Sequence, residues 1–324
     1  MSDILEFHVP EVGLTFRVKL VTDNPDVVEQ VLAQLPLKSV LGHVVIAGET
    51  FWTPTRILHT GRNNMVERRL GNVYLNAMGQ SICLTYGKIT ESARVNKFGQ
   101  VFDEDLAILS QVGNLVYAKT IAQPRRQILE VHISSQVAHP GRSLDPPEIT
   151  ESDAGWRKAK ATIEKEIDRV WLQEPEEIQK IRCGVIESGA GTGEQYFTVL
   201  VHLEAFLMVL GGDLIQRLLK ISQYDDVQLP TLIRITRELL IGDFDLFEFM
   251  TDLGLTNMHQ ISQMYSEALD TLTTKEEYAQ LTGAMVTYVN RMHRWSYFIF
   301  PWNLGVAFPH RKPSEIAALS KMIG

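Results

Sequence analysis

The chain has 324 residues, of which 45% are hydrophobic and 22% charged, and its net charge is −8. This is the composition of a globular protein long enough for two cored domains, and the acidic balance argues against a general nucleic-acid binder. Two cysteines are too few for a disulfide framework or a cysteine metal site. With no secretory signal and no run near the roughly 18 apolar residues of a membrane span, we expect a cytoplasmic protein without a membrane partner.

Residues 1–137 are predicted to form an antiparallel β-barrel domain that carries the chemistry. Leu14–Leu20 alternates apolar and polar side chains, the two-residue period of a half-buried strand, and Asn24-Pro25 then predicts a helix start. Further short segments punctuated by glycine predict more strands. They are residues 39–48, 55–59, 72–77, 81–87, 113–120 and 127–134. The pattern favours a compact barrel with one helix packed against it.

The sequence changes character near residue 137. Residues 138–152 are rich in proline, glycine and small polar residues and are predicted to be a linker. From Trp156 to Val170, apolar residues then recur at steps of three and four, as on one face of a helix. No convincing strand follows, so residues 153–324 are predicted to be an all-α helical bundle, and the whole chain an α+β multidomain protein.

The segment SGAGTG, residues 188–193, has the glycine spacing of loops that cradle a dinucleotide or S-adenosylmethionine. Such a loop needs a parallel strand before it and further βα units beside it, which this half of the sequence lacks. Thr192 and Gln195 instead fit a capping box at a helix start. We therefore predict no cofactor, and the scattered histidines predict no metal site.

The densest group of reactive side chains lies in the first half. His43 and Glu49 are six residues apart in one segment, an even separation that puts both on one face of a strand if no bulge intervenes. Tyr86 and Lys88 are two apart on another predicted strand. Facing strands would bring an imidazole, a carboxylate, a phenol and an ammonium together at a barrel mouth. The alternative, that each is a separate group on the barrel rim, fits the sequence equally well.

The segments GHVVIAGETFW, TYGK and GNLVYAK resemble a small family of cyclophilin-like barrels. With its helical half, the full chain resembles the cucumopine and mikimopine synthases, opine-forming enzymes carried on bacterial DNA that is transferred into plant cells. The resemblance implies a condensation of L-histidine with 2-oxoglutarate, without a redox cofactor, in the cytoplasm of the host plant cell. Amine and ketone would form an imine, and the imidazole carbon would close onto it in a Pictet–Spengler-type cyclisation. Whether the product is cucumopine or mikimopine stays open, as does a homo-oligomeric state.

Within that reaction, Glu49 is our candidate for the general base that removes the ring proton, with His43 positioning it or shuttling protons. Tyr86 and Lys88 would protonate the leaving hydroxyl during imine formation or hold a substrate carboxylate.

The substrate carboxylates need cationic partners, because a charge-assisted hydrogen bond contributes roughly 1.5–3 kcal/mol. Lys119, which is predicted to leave a strand, and Arg62 are candidates for this role beside Lys88. Asn114 and Trp52 complete the expected substrate contacts. The other basic residues of this half are mostly expected to be solvated surface charges.

Two other functions fit the same sequence. A peptidyl-prolyl isomerase would use a barrel of this type but would have no use for a large helical half. A non-catalytic module that binds small carboxylic acids would use the helical half to dock a partner. A methyltransferase that uses SGAGTG is a weaker alternative.

Overall fold

The structure, a computed structural model, describes residues 4–135, 155–186, 188–242 and 245–315. The predicted linker, residues 138–152, lies outside the described residues. An antiparallel barrel comes first and helices follow, so the predicted order of β-barrel and helical bundle is confirmed.

The described residues before the linker form nine strands and two α-helices. The strands are β1 (Ile4–Val9), β2 (Leu14–Leu20), β3 (Leu37–His43), β4 (Gly48–Pro54), β5 (Met65–Val66), β6 (Asn72–Asn76), β7 (Ser81–Ile89), β8 (Val95–Val101) and β9 (Leu129–Ser135). The helices are α1 (Pro25–Leu32) and α2 (Leu106–Tyr117). The strand order is β2-β1-β9-β3-β4-β7-β6-β8, and β8 pairs again with β2, which closes eight antiparallel strands into a barrel. The short β5 pairs with β8.

Several barrel strands are buried on both faces. In β4, Phe51 points into the barrel core, whereas Trp52 belongs to the apolar cluster shared with the helical domain. In β7, Leu84 and Cys83 divide in the same way. Successive side chains of a strand point to opposite faces, so a strand between two cores has no polar face and no alternating pattern.

The segment 113–120, predicted to be a strand, is helical. It forms the end of α2 and a π-helical turn over Ala118–Ala122. Leu109, Val112 and Val116 of α2 are buried in the barrel core, at the spacing of three and four residues that a helix requires. Residues 55–59 were also predicted wrongly as a strand, since they run as a loop beside Gln80, whose backbone carbonyl accepts from Thr55.

Eight α-helices form the second domain within the described residues. They are α3 (Gly155–Arg169), α4 (Glu176–Arg182), α5 (Tyr196–Val209), α6 (Gln216–Ser222), α7 (Leu229–Leu240), α8 (Leu246–Asp252), α9 (Thr256–Ala268) and α10 (Lys275–Ile299). α10 is the central helix: it begins at a capping box of Thr274 and Glu277 and is buried along most of its length. α3 and α5 pack along it, and its other side meets the barrel.

The SGAGTG segment is an irregular turn before α5. Gly189, Gly191 and Gly193 have φ values of +67°, +107° and +62°, which lie in the left-handed region that favours glycine. The predicted capping box of Thr192 and Gln195 is wrong. A 3₁₀ turn covers Thr192–Glu194, and α5 begins only at Tyr196, without a side-chain cap.

One helix among the described residues is long and apolar enough to cross a membrane by those two criteria. It runs continuously over Tyr196–Ser222, with a mean hydropathy of 1.7 and 44% of the apolar window buried within the protein. The core helix of a bundle meets the same two criteria, and this helix packs against α10.

Candidate functional site

The candidate site is centred on a buried pair, His43 and Tyr86, at one end of the barrel. His43 is the last residue of β3, and Tyr86 lies on β7. The His43 ring nitrogen Nδ1 is 2.6 Å from the backbone carbonyl of Val44, and Nε2 is 2.9 Å from the Tyr86 hydroxyl. A carbonyl oxygen only accepts, so we assign the proton to Nδ1. Nε2 therefore accepts the hydrogen bond that Tyr86 donates.

Both members of the pair are uncharged at neutral pH. Burial lowers the pKa of His43 to about 4, against smaller upward effects of the Val44 hydrogen bond and the Glu49 charge. Burial also raises the pKa of Tyr86 to about 12, with further contributions from Glu49 and Tyr117. In a low-dielectric environment the neutral form of each group is favoured. Tyr86 is thus a fixed hydrogen-bond donor and His43 its acceptor, with the acidic residue Glu49 nearby.

That neighbour, Glu49, is the second residue of β4, where the pairing with β7 shifts register between Gly48 and Thr50. Its carboxylate Oε2 accepts a hydrogen bond from the backbone N–H of Lys88. A Cβ atom at Gly87 would collide with this carboxylate, so the strand has room for Glu49 because residue 87 is glycine. The prediction that His43 and Glu49 share one strand is wrong: they lie on β3 and β4, which the turn between them brings together.

A second ring, Tyr117, completes the cluster. It ends α2, is 46% exposed, and packs edge-on against His43 with ring centroids 5.0 Å apart. Tyr117 was not among the predicted site residues, because its segment was predicted to be a strand. Asn114, a predicted substrate contact, is exposed three residues earlier on the same helix and so shares its face with Tyr117.

α2 also holds Tyr86 from behind. A Cβ atom at Gly113 would overlap the Tyr86 ring, and the Ser110 hydroxyl donates to the Tyr86 carbonyl at 3.0 Å. Because residue 113 has no side chain, α2 can pack directly against the Tyr86 ring of β7.

In the described part of the chain, none of the four remaining predicted site residues has a side-chain hydrogen bond to His43, Glu49 or Tyr86. Lys88 contributes its backbone N–H to Glu49, while its residue is exposed. The Lys119 ammonium donates to Gln127 at 2.5 Å, and Arg62 is exposed in the loop after β4. Trp52 is 2% exposed and packs against Tyr297 and Phe298 of α10, which does not agree with the substrate contact predicted for it.

A second polar cluster lies in the barrel wall. The guanidinium of Arg68 is almost fully buried and pairs with the partly exposed Glu91 carboxylate at 2.8 Å. Tyr74 and Cys83, opposite each other on β6 and β7, lie beside it. Burial raises the pKa of the Cys83 thiol to about 11, so the thiol is neutral. Arg68 was predicted to be a solvated surface charge, because no local sequence pattern around it indicates burial.

Metal ligands are absent from the described ranges: no three His, Cys, Asp or Glu side chains there lie close enough together to hold an ion.

The helical domain matches a known family. Residues 156–299 match the family described as the cucumopine synthase C-terminal helical bundle domain. Among solved structures, that of McbB in complex with tryptophan superposes with a TM-score of 0.85 and 26% sequence identity, over 94% of this chain and 100% of that chain.

A hypothetical protein from Archaeoglobus fulgidus, solved in solution, is a distant match, with a TM-score of 0.30 and 19% identity. The match covers 41% of this chain and 94% of that protein. Among curated proteins, the sequence comparison finds no match. The resemblance stated from the sequence is confirmed by the match to the helical domain and by the superposition over both domains.

Proposed function

We propose that this chain, whose C-terminal domain belongs to the cucumopine synthase helical bundle family, is an opine synthase that condenses L-histidine with 2-oxoglutarate. The observation that carries the proposal is the cluster at the barrel mouth. An exposed carboxylate is held by a backbone N–H beside a neutral, buried imidazole–phenol pair. The superposition with McbB, which was solved with the aromatic amino acid tryptophan, supports a substrate of that class.

The reaction requires two steps. The α-amine of histidine attacks the ketone of 2-oxoglutarate, and loss of one water gives an imine. The imidazole ring carbon then bonds to the imine carbon, the imine nitrogen gains a proton, and the ring loses one to become aromatic again. No electrons are exchanged with a cofactor, so the product is the sum of both substrates less one water.

Glu49 is the proposed acceptor of the ring proton. Its Oε2 is held by Lys88 N–H, and no partner of Oε1 is found in the described parts of the chain. A positioned base of this kind contributes typically 10²–10⁴-fold. The larger contribution is orientation, since holding two reactants in a near-attack geometry supplies roughly 7–11 kcal/mol.

The neighbouring side chains have supporting roles. The half-exposed face of Tyr117 offers a surface on which the imidazole of the substrate stacks. Tyr86 donates to His43 and so helps to orient the imidazole, which burial keeps neutral. Lys119 and Arg62 are the proposed carboxylate contacts, which the free chain leaves exposed or paired only with a neutral amide.

Mass spectrometry of the chain with L-histidine and 2-oxoglutarate, without any nucleotide, tests this proposal. We expect a product mass equal to the two substrates less one water. Binding heat without new mass would instead indicate a carboxylic-acid binding module. Acceleration of proline isomerisation in a test peptide, again without a new product mass, would indicate a peptidyl-prolyl isomerase.

A further inference from the structure

The long helix α10 touches the strand that carries His43. The hydroxyl of Tyr297, near the end of α10, donates a hydrogen bond to the backbone carbonyl of His43 at 2.7 Å, and both residues are buried. An unpaired buried carbonyl is costly, so this hydrogen bond has a clear structural need.

The end of β3 has lost its neighbour on one side. β9 pairs with β3 only as far as Leu41, whereas β4 continues to Gly42 and His43. His43 is therefore held by one strand, and the contact from the helical domain supplements it.

A second contact reaches the same strand end through Trp52. The Tyr297 ring packs edge-on against Trp52 with centroids 5.5 Å apart. The Trp52 ring lies so close to Gly42 that a Cβ atom there would overlap it. Tyr297 thus restrains His43 directly, through its hydroxyl, and the preceding residue indirectly, through the indole.

We propose that Tyr297 is a positioning residue that fixes the backbone of His43, and with it the tautomer and orientation of the imidazole in the site. The helical domain is then part of the catalytic apparatus. The expected effect on catalysis rests on the proposed opine synthase activity. The expected effect on the His43 imidazole is independent of that activity.

Titratable groups surround both His43 and Tyr297, and a test of positioning must leave their charges unchanged. Glu49, Tyr86 and Tyr117 face His43. Arg294 and Glu204 act on Tyr297 from within the helical domain. A change at the Tyr297 hydroxyl alters none of these charges, so any change in the His43 imidazole reports on position.

The test compares Tyr297→Phe with a matched control, Tyr278→Phe. Tyr278 is also buried on α10, and its hydroxyl bonds Thr236 at 2.6 Å inside the bundle. Each variant keeps the ring and loses one buried hydroxyl group. ¹⁵N spectra of histidine-labelled protein, with the His43 signals assigned from His43→Gln, report tautomer and protonation without any turnover.

We expect Tyr297→Phe to average the two His43 tautomers and to raise the pKa of His43 by at least one unit towards 6.5, with kcat at least tenfold lower and KM within twofold. Tyr278→Phe should leave the spectrum and kcat unchanged. A Tyr297→Phe variant with the parent's His43 spectrum, or a Tyr278→Phe variant with the same changes, would overturn the positioning role. Altered spectra in a protein that makes no product would retain the restraint on His43 and reject the proposed activity.

Discussion

Tyr86 in the barrel and Tyr278 in the bundle are both buried, and each hydrogen-bonds a second buried polar side chain, His43 and Thr236 respectively. Their surroundings differ. Tyr278 is enclosed by the bundle core, beside a second such pair of Tyr265 with Thr282. Tyr86 is influenced by the charge of an exposed carboxylate. A buried polar pair alone therefore does not indicate a functional site. The indication comes from an acid–base group beside the pair that solvent and substrate can reach.

If the surroundings of Tyr86 form the catalytic site and those of Tyr278 do not, the largest loss of activity should come from Glu49→Gln. Glutamine keeps the size of the side chain and can still accept from Lys88 N–H, but it cannot take up a proton. We expect kcat/KM for product formation to fall at least about 100-fold, the lower bound for a general base. Unfolding in urea should be unchanged within about 0.5 kcal/mol, as for most surface substitutions.

Glu91→Gln is the control, because Glu91 is the partly exposed carboxylate of the Arg68 cluster. We expect it to retain most of the activity. The reverse outcome, a large loss in Glu91→Gln and near-parent activity in Glu49→Gln, would move the base to the barrel wall.

A smaller effect is expected on the free energy of unfolding, which should depend on pH in opposite ways through His43 in the barrel and Glu177 in the bundle. His43 has a pKa of about 4 in the folded chain against 6.5 in the unfolded chain, so the unfolded chain takes up this proton first as the pH falls. Stability from this residue is complete above pH 6.5 and is lost towards pH 4, by about 3 kcal/mol. Glu177 in the bundle behaves oppositely, because burial raises its pKa from 4.5 to about 7. Its contribution is complete below pH 4.5 and is lost as the pH rises to 7.

Urea unfolding between pH 4 and 7.5 measures both effects. Relative to the parent, His43→Gln should flatten the decline on the acid side, and Glu177→Gln should flatten the decline towards neutral pH. Identical pH profiles for the parent and both variants would contradict the buried, neutral state of these groups.

Parts of the fold were predictable because one local pattern determined them. Leu14–Leu20 alternates because one face of β2 is buried more than the other, and Pro25 starts α1 because its ring suits a first helical turn. β4 escaped prediction because Trp52 faces a second core in the helical domain, which removes the alternation. Only tertiary contact supplies that second core.

The site was partly predictable for a similar reason. His43, Glu49 and Tyr86 were identified by residue type, and strand pairing brings them together, although the assumed single strand for His43 and Glu49 was wrong. Tyr117 was missed because a short apolar run does not distinguish the end of a helix from a strand. Tyr297 is 254 residues from His43 in sequence, and no local pattern relates the two.

The most direct test of the catalytic site is a crystal structure of the chain with L-histidine bound. We predict that the substrate imidazole lies against Tyr117, with its ring carbon within reach of the Glu49 carboxylate. Histidine bound at Arg68 and Glu91, with the His43, Glu49 and Tyr86 cluster empty, would contradict this account.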